Sequence, residues 1–143
     1  MHEWAVAESI VNTISKSFGE RKILEVNVKI GELRGLNFEV LKDALKILSK
    51  ESNLENVKFN LLICKATFKC LNCGEEWNMR KALKILKEIL QEDYYVEEED
   101  ELEPPTHFIP GLIVGLQRCP RCGRMDIDVR SGRELEISGV VVE

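Results

Sequence analysis

Two short cysteine motifs constrain this chain more than any other feature: Cys70-Leu71-Asn72-Cys73-Gly74 and Cys119-Pro120-Arg121-Cys122-Gly123. Two residues between cysteines let both sulfurs of a motif turn toward one centre. The glycine permits the backbone turn that aims N–H groups at the thiolates. Together the motifs supply four thiolates, a complete tetrahedral shell for zinc with no coordination position left over. Such pairs are ordinarily separated by about 15–20 residues. Here residues 74–118 intervene, 45 in all, so the pairing rests on motif type and glycine placement. Two separate redox pairs or disulfides are the alternative.

A chain of 143 residues can build one ordinary core or two small modules. Its 44% hydrophobic and 31% charged content fits a globular chain in water. No apolar run approaches about 18 residues, so no membrane span is expected. The opening Met1-His2-Glu3-Trp4 has neither a basic nor a greasy leader segment. Cysteines in metal-type spacing suit a reducing compartment, and the expected location is the cytoplasm. The net charge of −5 is concentrated: residues 92–103 hold eight carboxylates and no Lys or Arg, which leaves the remainder at +3. A four-thiolate zinc would take that remainder close to neutrality. The strong positive field of a dedicated nucleic-acid binder is missing, and no nucleic-acid partner is expected.

Periodicity divides the rest. Ala7, Ile10, Val11, Ile14 and Phe18 recur at helical steps, predicting an amphipathic helix over 3–18 that stops at Gly19. Leu24, Val26, Val28 and Ile30 alternate with polar residues, as in a half-buried strand. Asn37 can cap a second helix with Phe38, Leu41, Leu45 and Leu48 on one face. Val57, Phe59, Leu61 and Ile63 alternate again as a second strand. Between the cysteine motifs, Ala82, Ile85, Leu86, Ile89 and Leu90 read as a third helix. The acidic run and Pro104-Pro105 then read as an exposed, disordered loop. Ile113, Val114 and Leu116 are expected to lead into the second motif as a strand, and 126–130 to return as another. Leu135, Ile137, Val140, Val141 and Val142 form a last strand whose alternation slips at Ser138-Gly139, as at a bulge.

The expected fold is α+β: a small mixed three-stranded sheet with two helices, plus an inserted zinc-ribbon-like domain. Residues 1–64 and 131–143 would form the first domain, its last strand rejoining the sheet. Residues 65–130 would form the zinc domain, with a helical and acidic insertion at about 80–108.

A four-cysteine zinc site is coordinatively saturated. It fastens a module too small for a full hydrophobic core, and it leaves no position for an activated water, which excludes zinc hydrolase chemistry. Arg118, Arg121, Arg124, Lys65 and Lys69 lie near the motifs. They read either as phosphate contacts of a zinc-ribbon nucleic-acid or transcription module, or as solvated cations that offset the thiolate charge. Few aromatics interleave them, which favours the second reading. Cys64 reads as a small, partly buried side chain, with a spare ligand as the alternative.

The chain has two histidines, His2 and His107. At position 2, a free Met1 amine, the His2 amide nitrogen and the His2 ring Nδ1 can close two fused chelate rings on one metal. That planar nitrogen field suits Ni²⁺ or Cu²⁺ better than Zn²⁺. The alternative is an incidental exposed histidine. His107 reads as an extra ligand or a plain loop residue.

Met1-His2-Glu3 opening a helix, Ile30-Gly31-Glu32-Leu33 ending a strand, the paired cysteine motifs and a final apolar strand occur in that order. The combination runs over essentially the whole chain and resembles the HypA/HybF family of nickel metallochaperones for [NiFe]-hydrogenase maturation. The resemblance implies a nickel-binding α/β domain and a zinc domain. Nickel would be held at the terminus through His2 and backbone nitrogens, with Glu3 contributing its backbone nitrogen and Met1 its amine. Zinc would be held by Cys70, Cys73, Cys119 and Cys122. It implies a carrier rather than an enzyme, with the HypB GTPase and the hydrogenase large subunit as partners, and it leaves a homodimer open. The insertion between the motifs resembles archaeal members, and His107, in His107-Phe108-Ile109-Pro110, stands where those members bring a histidine near nickel. Gly74 and Gly123 stand where bacterial members can carry a histidine after a cysteine motif.

Overall fold

The computed structural model describes residues 2–52, 54–90, 96–98, 101–103 and 110–143. It divides into two compact units. The first comprises residues 1–30, 36–63 and 135–143; the second comprises 31–35 and 64–134.

In the first unit, α1 (His2–Phe18) and α2 (Phe38–Glu51) accompany a sheet of β1 (Ile23–Gly31), β2 (Lys58–Cys64) and β8 (Leu135–Val142), in the order β2-β1-β8. Helix α1 buries Ala7, Ile10, Val11 and Ile14 on one stripe. The Asn37 side chain caps α2 by accepting from the Val40 backbone N–H at 3.1 Å. Strand β8 runs antiparallel to β1. Lys58 lies beside Glu25 and Asn60 beside Asn27, so β2 advances in the same direction as β1 and the sheet is mixed. Val26, Val28, Ile30, Leu41, Ala44 and Leu45 are fully buried in the shared core.

Two bulges set the register. Ser138 is the extra residue on β8, since Asn27 pairs with Gly139 and Val28 with Ile137. Leu24 is the extra residue on β1, between Ile23 and Glu25. Simple alternation puts Leu24 inward; the bulge instead leaves it 40% exposed and gives the core position to Ile23, 6% exposed. Ile63 also departs from its expected inward position. Strand β2 is an edge strand whose Phe59 and Leu61 pack against the core, while Ile63 is 53% exposed.

The second unit carries a sheet in the order β4-β3-β7, from β3 (Thr67–Cys70), β4 (Glu76–Asn78) and β7 (Ile127–Ser131). Phe68 and Trp77 stack across β3 and β4 with centroids 6.1 Å apart. Helix α3 (Met79–Leu90) contributes Ala82, Ile85 and Leu86 to the core. Residues 110–115 correct the expected strand: Pro110–Gly115 is a short helix, α4, which buries Ile113. Pro110 occupies the first helical position, which favours that start, and a short apolar run cannot separate strand from helix by periodicity. In the acidic run, β5 (Val96–Glu98) pairs antiparallel with β6 (Glu101–Glu103), so those residues are not the structureless loop expected.

The Gly31–Gly35 segment, assigned from sequence to the first domain, is stitched into the second unit. The Gly31 N–H donates to Glu134 O at 2.6 Å, Leu33 N–H to Gly132 O at 2.8 Å, and the Leu33 side chain enters the core. A Cβ on Gly31 would lie 2.0 Å from Gly132 O, so only glycine fits there.

Candidate metal centre

Each cysteine motif folds as the same tight turn. At the first, Cys70 N–H donates to Glu75 O at 2.8 Å and Gly74 N–H to Cys70 O at 2.9 Å. At the second, Cys119 N–H donates to Arg124 O at 2.8 Å and Gly123 N–H to Cys119 O at 2.9 Å. Gly74 and Gly123 take φ of 84° and 76°, the left-handed region that each turn requires. The Leu71 N–H donates to Asp126 O at 2.8 Å and links the two loops.

The turns bring Cys70, Cys73, Cys119 and Cys122 together, with all four sulfurs within 4.8 Å of one another. Cys70–Cys122 and Cys73–Cys119 sulfurs lie 3.5 Å apart, and all four cysteines are free thiols. Tetrahedral zinc with bonds of about 2.3 Å places sulfurs about 3.8 Å apart. The donor set and its spacing therefore fit a four-thiolate metal site.

Backbone N–H groups tune the sulfurs. Arg121 and Cys122 N–H donate to Cys119 Sγ at 3.3 and 3.4 Å. The Arg124 backbone N–H holds the Cys122 pKa down to about 6, with Asn72 Nδ2 donating to its sulfur from 3.7 Å. At Cys73 the Glu75 N–H favours the thiolate, but desolvation and the neighbouring sulfurs outweigh it and push the pKa up to about 12. Four sulfurs so close cannot all ionise without a cation among them. Glycine placement signalled the N–H donors in advance; nothing in the sequence signalled Asn72.

Beneath the loops, Gln117 is fully buried. Its Oε1 accepts from Trp77 Nε1 at 3.1 Å and its Nε2 donates to Ala82 O at 3.0 Å. This residue ties β4 and α3 to the irregular segment entering the second motif, and no periodicity marked it. Cys64 lies outside the four-sulfur group and is half-buried.

Of the other predicted ligands, His2 and Glu3 are in the first unit. His2 is exposed on the first turn of α1. The first four N–H groups of a helix have no intrahelical partner. The Glu3 carboxylate accepts from the Asn37 backbone N–H at 2.9 Å, which with its own N–H lowers its pKa to about 2. That bond joins the first turn of α1 to the N-cap of α2. Met1 and His107 lie outside the described residues. Arg118, Arg121 and Arg124 are exposed around the second motif. Among the described residues, no helix is long and apolar enough to cross a membrane.

Comparison with known proteins gives one family. The family model described as hydrogenase/urease nickel incorporation, metallochaperone, hypA matches residues 1–142. The hydrogenase maturation factor HypA of Thermococcus sibiricus is 33% identical over 146 residues, covering 100% of this chain and 97% of that protein. The factor of the same description from Pyrococcus horikoshii is 34% identical, covering 100% and 96%. A solution structure of the Ni metallochaperone HypA from Helicobacter pylori aligns with a TM-score of 0.52 at 16% identity, over 98% of this chain and 96% of that one. A second solution structure, of HypA protein, gives 0.54 at 16% identity, over 100% and 97%. At that identity the structures speak for the fold alone.

Proposed function

The chain belongs to the HypA family of hydrogenase and urease nickel-incorporation metallochaperones, and from that premise we propose that it carries Ni²⁺ on the first turn of α1 and hands it on for assembly of a [NiFe]-hydrogenase centre. The observation that carries this reading is the placement of His2. Its imidazole is exposed on the first turn of α1, with the Glu3 backbone nitrogen next to it in sequence. A cargo site should offer few, exposed ligands, so that a recipient can take the metal by ligand exchange.

The proposed nickel ligands are the His2 ring and amide nitrogens, the Met1 amine and the Glu3 backbone nitrogen, with His107 joining in a partner-bound state. Binding at the Glu3 nitrogen would displace the bond between its N–H and its own carboxylate. Cys70, Cys73, Cys119 and Cys122 would hold a resident Zn²⁺. That ion supplies a closed, structural crosslink, and the protein's own contribution is to orient the four sulfurs by the paired turns. The proposed partners are the HypB GTPase and the hydrogenase large subunit, in the cytoplasm.

The test is nickel titration of the zinc-loaded protein by calorimetry, with absorption spectra reporting planar nitrogen coordination. Wild type should bind with micromolar-class affinity or weaker, on the order of 8 kcal/mol or less. His2→Ala, and separately a two-residue extension ahead of Met1, should abolish that binding while zinc stays in place. Unchanged nickel affinity in the extended protein would overturn the reading.

A further inference from the structure

The two metal readings leave one surface unexplained, the tip formed by the two cysteine loops. Leu71 and Met125 are 67% and 57% exposed, the two most exposed large apolar side chains among the described residues. The Leu71 N–H to Asp126 O bond puts Leu71 beside the backbone that follows Met125. Arg118, Arg121 and Arg124 are exposed on the second loop, and none has an ion-pair partner among the described residues. Solvated apolar side chains among unpaired guanidiniums are the composition of a protein interface, where Met and Arg are enriched.

We propose that this tip docks a partner protein, through a partner segment that places carboxylates against Arg118, Arg121 and Arg124 around an apolar side chain seated on Leu71 and Met125. Charge placement selects that occupant over a nucleic acid. The guanidiniums belong to the second loop, whereas Glu75 and Glu76 follow the first and Asp126 borders the second. A protein segment can put its carboxylates on the arginines alone. A phosphate backbone carries charge at every step and meets the carboxylates too. Among the described residues of this unit, the aromatics Phe68 and Trp77 are in the core at 0% and 7% exposure. Leu71 and Met125 have no use against phosphates.

The proposal gives the saturated metal site a purpose beyond stability. Both loops are held by the same four sulfurs, so the metal would fix Leu71 and the arginines in one arrangement before the partner arrives and lower the ordering cost of docking. It rests on the reading that this chain hands cargo to another protein, and it adds the surface by which that protein is engaged.

The experiment titrates zinc-loaded full-length chain by calorimetry into purified HypB GTPase and, separately, into purified hydrogenase large-subunit precursor. Wild type is compared with the double variants Arg121→Glu/Arg124→Glu and Leu71→Ser/Met125→Ser. Cobalt substitution spectra verify the four-thiolate site in each, and nickel titration of the same samples reads the N-terminal site independently. At least one of the two proteins should bind wild type and lose tenfold or more in affinity with each double variant. The loss from charge reversal should shrink between 50 and 300 mM salt, while the loss from the apolar pair should persist. Equal binding by wild type and variants overturns the proposal, as does wild type that binds neither protein. A variant effect confined to a DNA duplex at low salt also overturns it and returns the tip to the nucleic-acid reading. Because His2→Ala should leave docking untouched, failure of the nickel reading and failure of this one are separable.

Discussion

At the scale of single residues, buried polar groups and close approaches carry the sharpest consequences. Gln117 satisfies the indole N–H of Trp77 inside a fully buried site. Gln117→Ala leaves that donor unpaired and opens a void, so it should cost about 2–4 kcal/mol. Urea unfolding followed by Trp77 fluorescence, with exposed Trp4 replaced by Phe, measures the loss. Glycines of the same type should part company. Gly31→Ala drives a Cβ to 2.0 Å from a backbone oxygen, whereas a Cβ on Gly74 meets nothing within 4 Å and faces only its φ of 84°. Gly31→Ala should therefore destabilise by about 3 kcal/mol or more, and Gly74→Ala by about 1–2 kcal/mol; equal losses would contradict the close approach. The Glu3 carboxylate, lowered to about 2 with the Asn37 N–H as the largest of several causes, contributes its link to α2 fully above its ordinary value of 4.5. The contribution fades as acid titrates the folded carboxylate. Carboxyl chemical shifts of Glu3 should therefore keep their ionised values at pH 3.5, where ordinary glutamates are mostly protonated.

At the scale of elements, local chemistry was legible where one rule dominated. The cysteine motifs announced both the four-sulfur group and its glycine turns, and Asn37 announced its helix, because each depends on residues a few positions apart. The last strand showed its slip at Ser138-Gly139 because the alternation visibly breaks there. The bulge at Leu24 was hidden because Ile23 and Leu24 are both apolar, and hydropathy cannot say which of two neighbours turns inward. The register makes that choice testable: Ile23→Ala should cost about 2–4 kcal/mol, while Leu24→Lys should change stability by no more than about 0.5 kcal/mol. The reverse order in thermal or urea unfolding would refute the register. Residues 113–116 failed as a strand for a related reason, since Pro110 and Gly115 bound a run too short for its period to be read. Gly31 and Leu33 drew attention only through resemblance. Their role, feeding a segment of 31–35 into the core of the second unit, depends on residues 132–134, which lie about a hundred positions away.

At the scale of the whole molecule, two separate cores divide the chain, one of helices on a mixed sheet and one around the four cysteines. The second holds Phe68, Trp77 and Leu86 but closes over loops joined by the Leu71 N–H to Asp126 O bond and by four sulfurs that need a cation among them, so metal and fold should be linked there. A chelator that strips the metal should expose Trp77 and remove amide-exchange protection from β3, β4 and β7, with α1, α2 and β1 staying protected. The pH dependence of metal loading follows from the sulfurs. In the metal-free protein Cys73 keeps its proton up to about 12, so a metal must displace that proton throughout the neutral range. Cys122 ionises near 6 and needs no displacement above that pH, but below it a further proton must leave. Zinc affinity should therefore rise with pH by at least about tenfold per unit above 6, and more steeply below. Competition with a chromophoric chelator between pH 5 and 8 reads the slope. A flat profile would mean that thiolates do not hold the metal. The same titration in the His2→Ala protein should be superimposable, because the imidazole has no part in the four-sulfur centre.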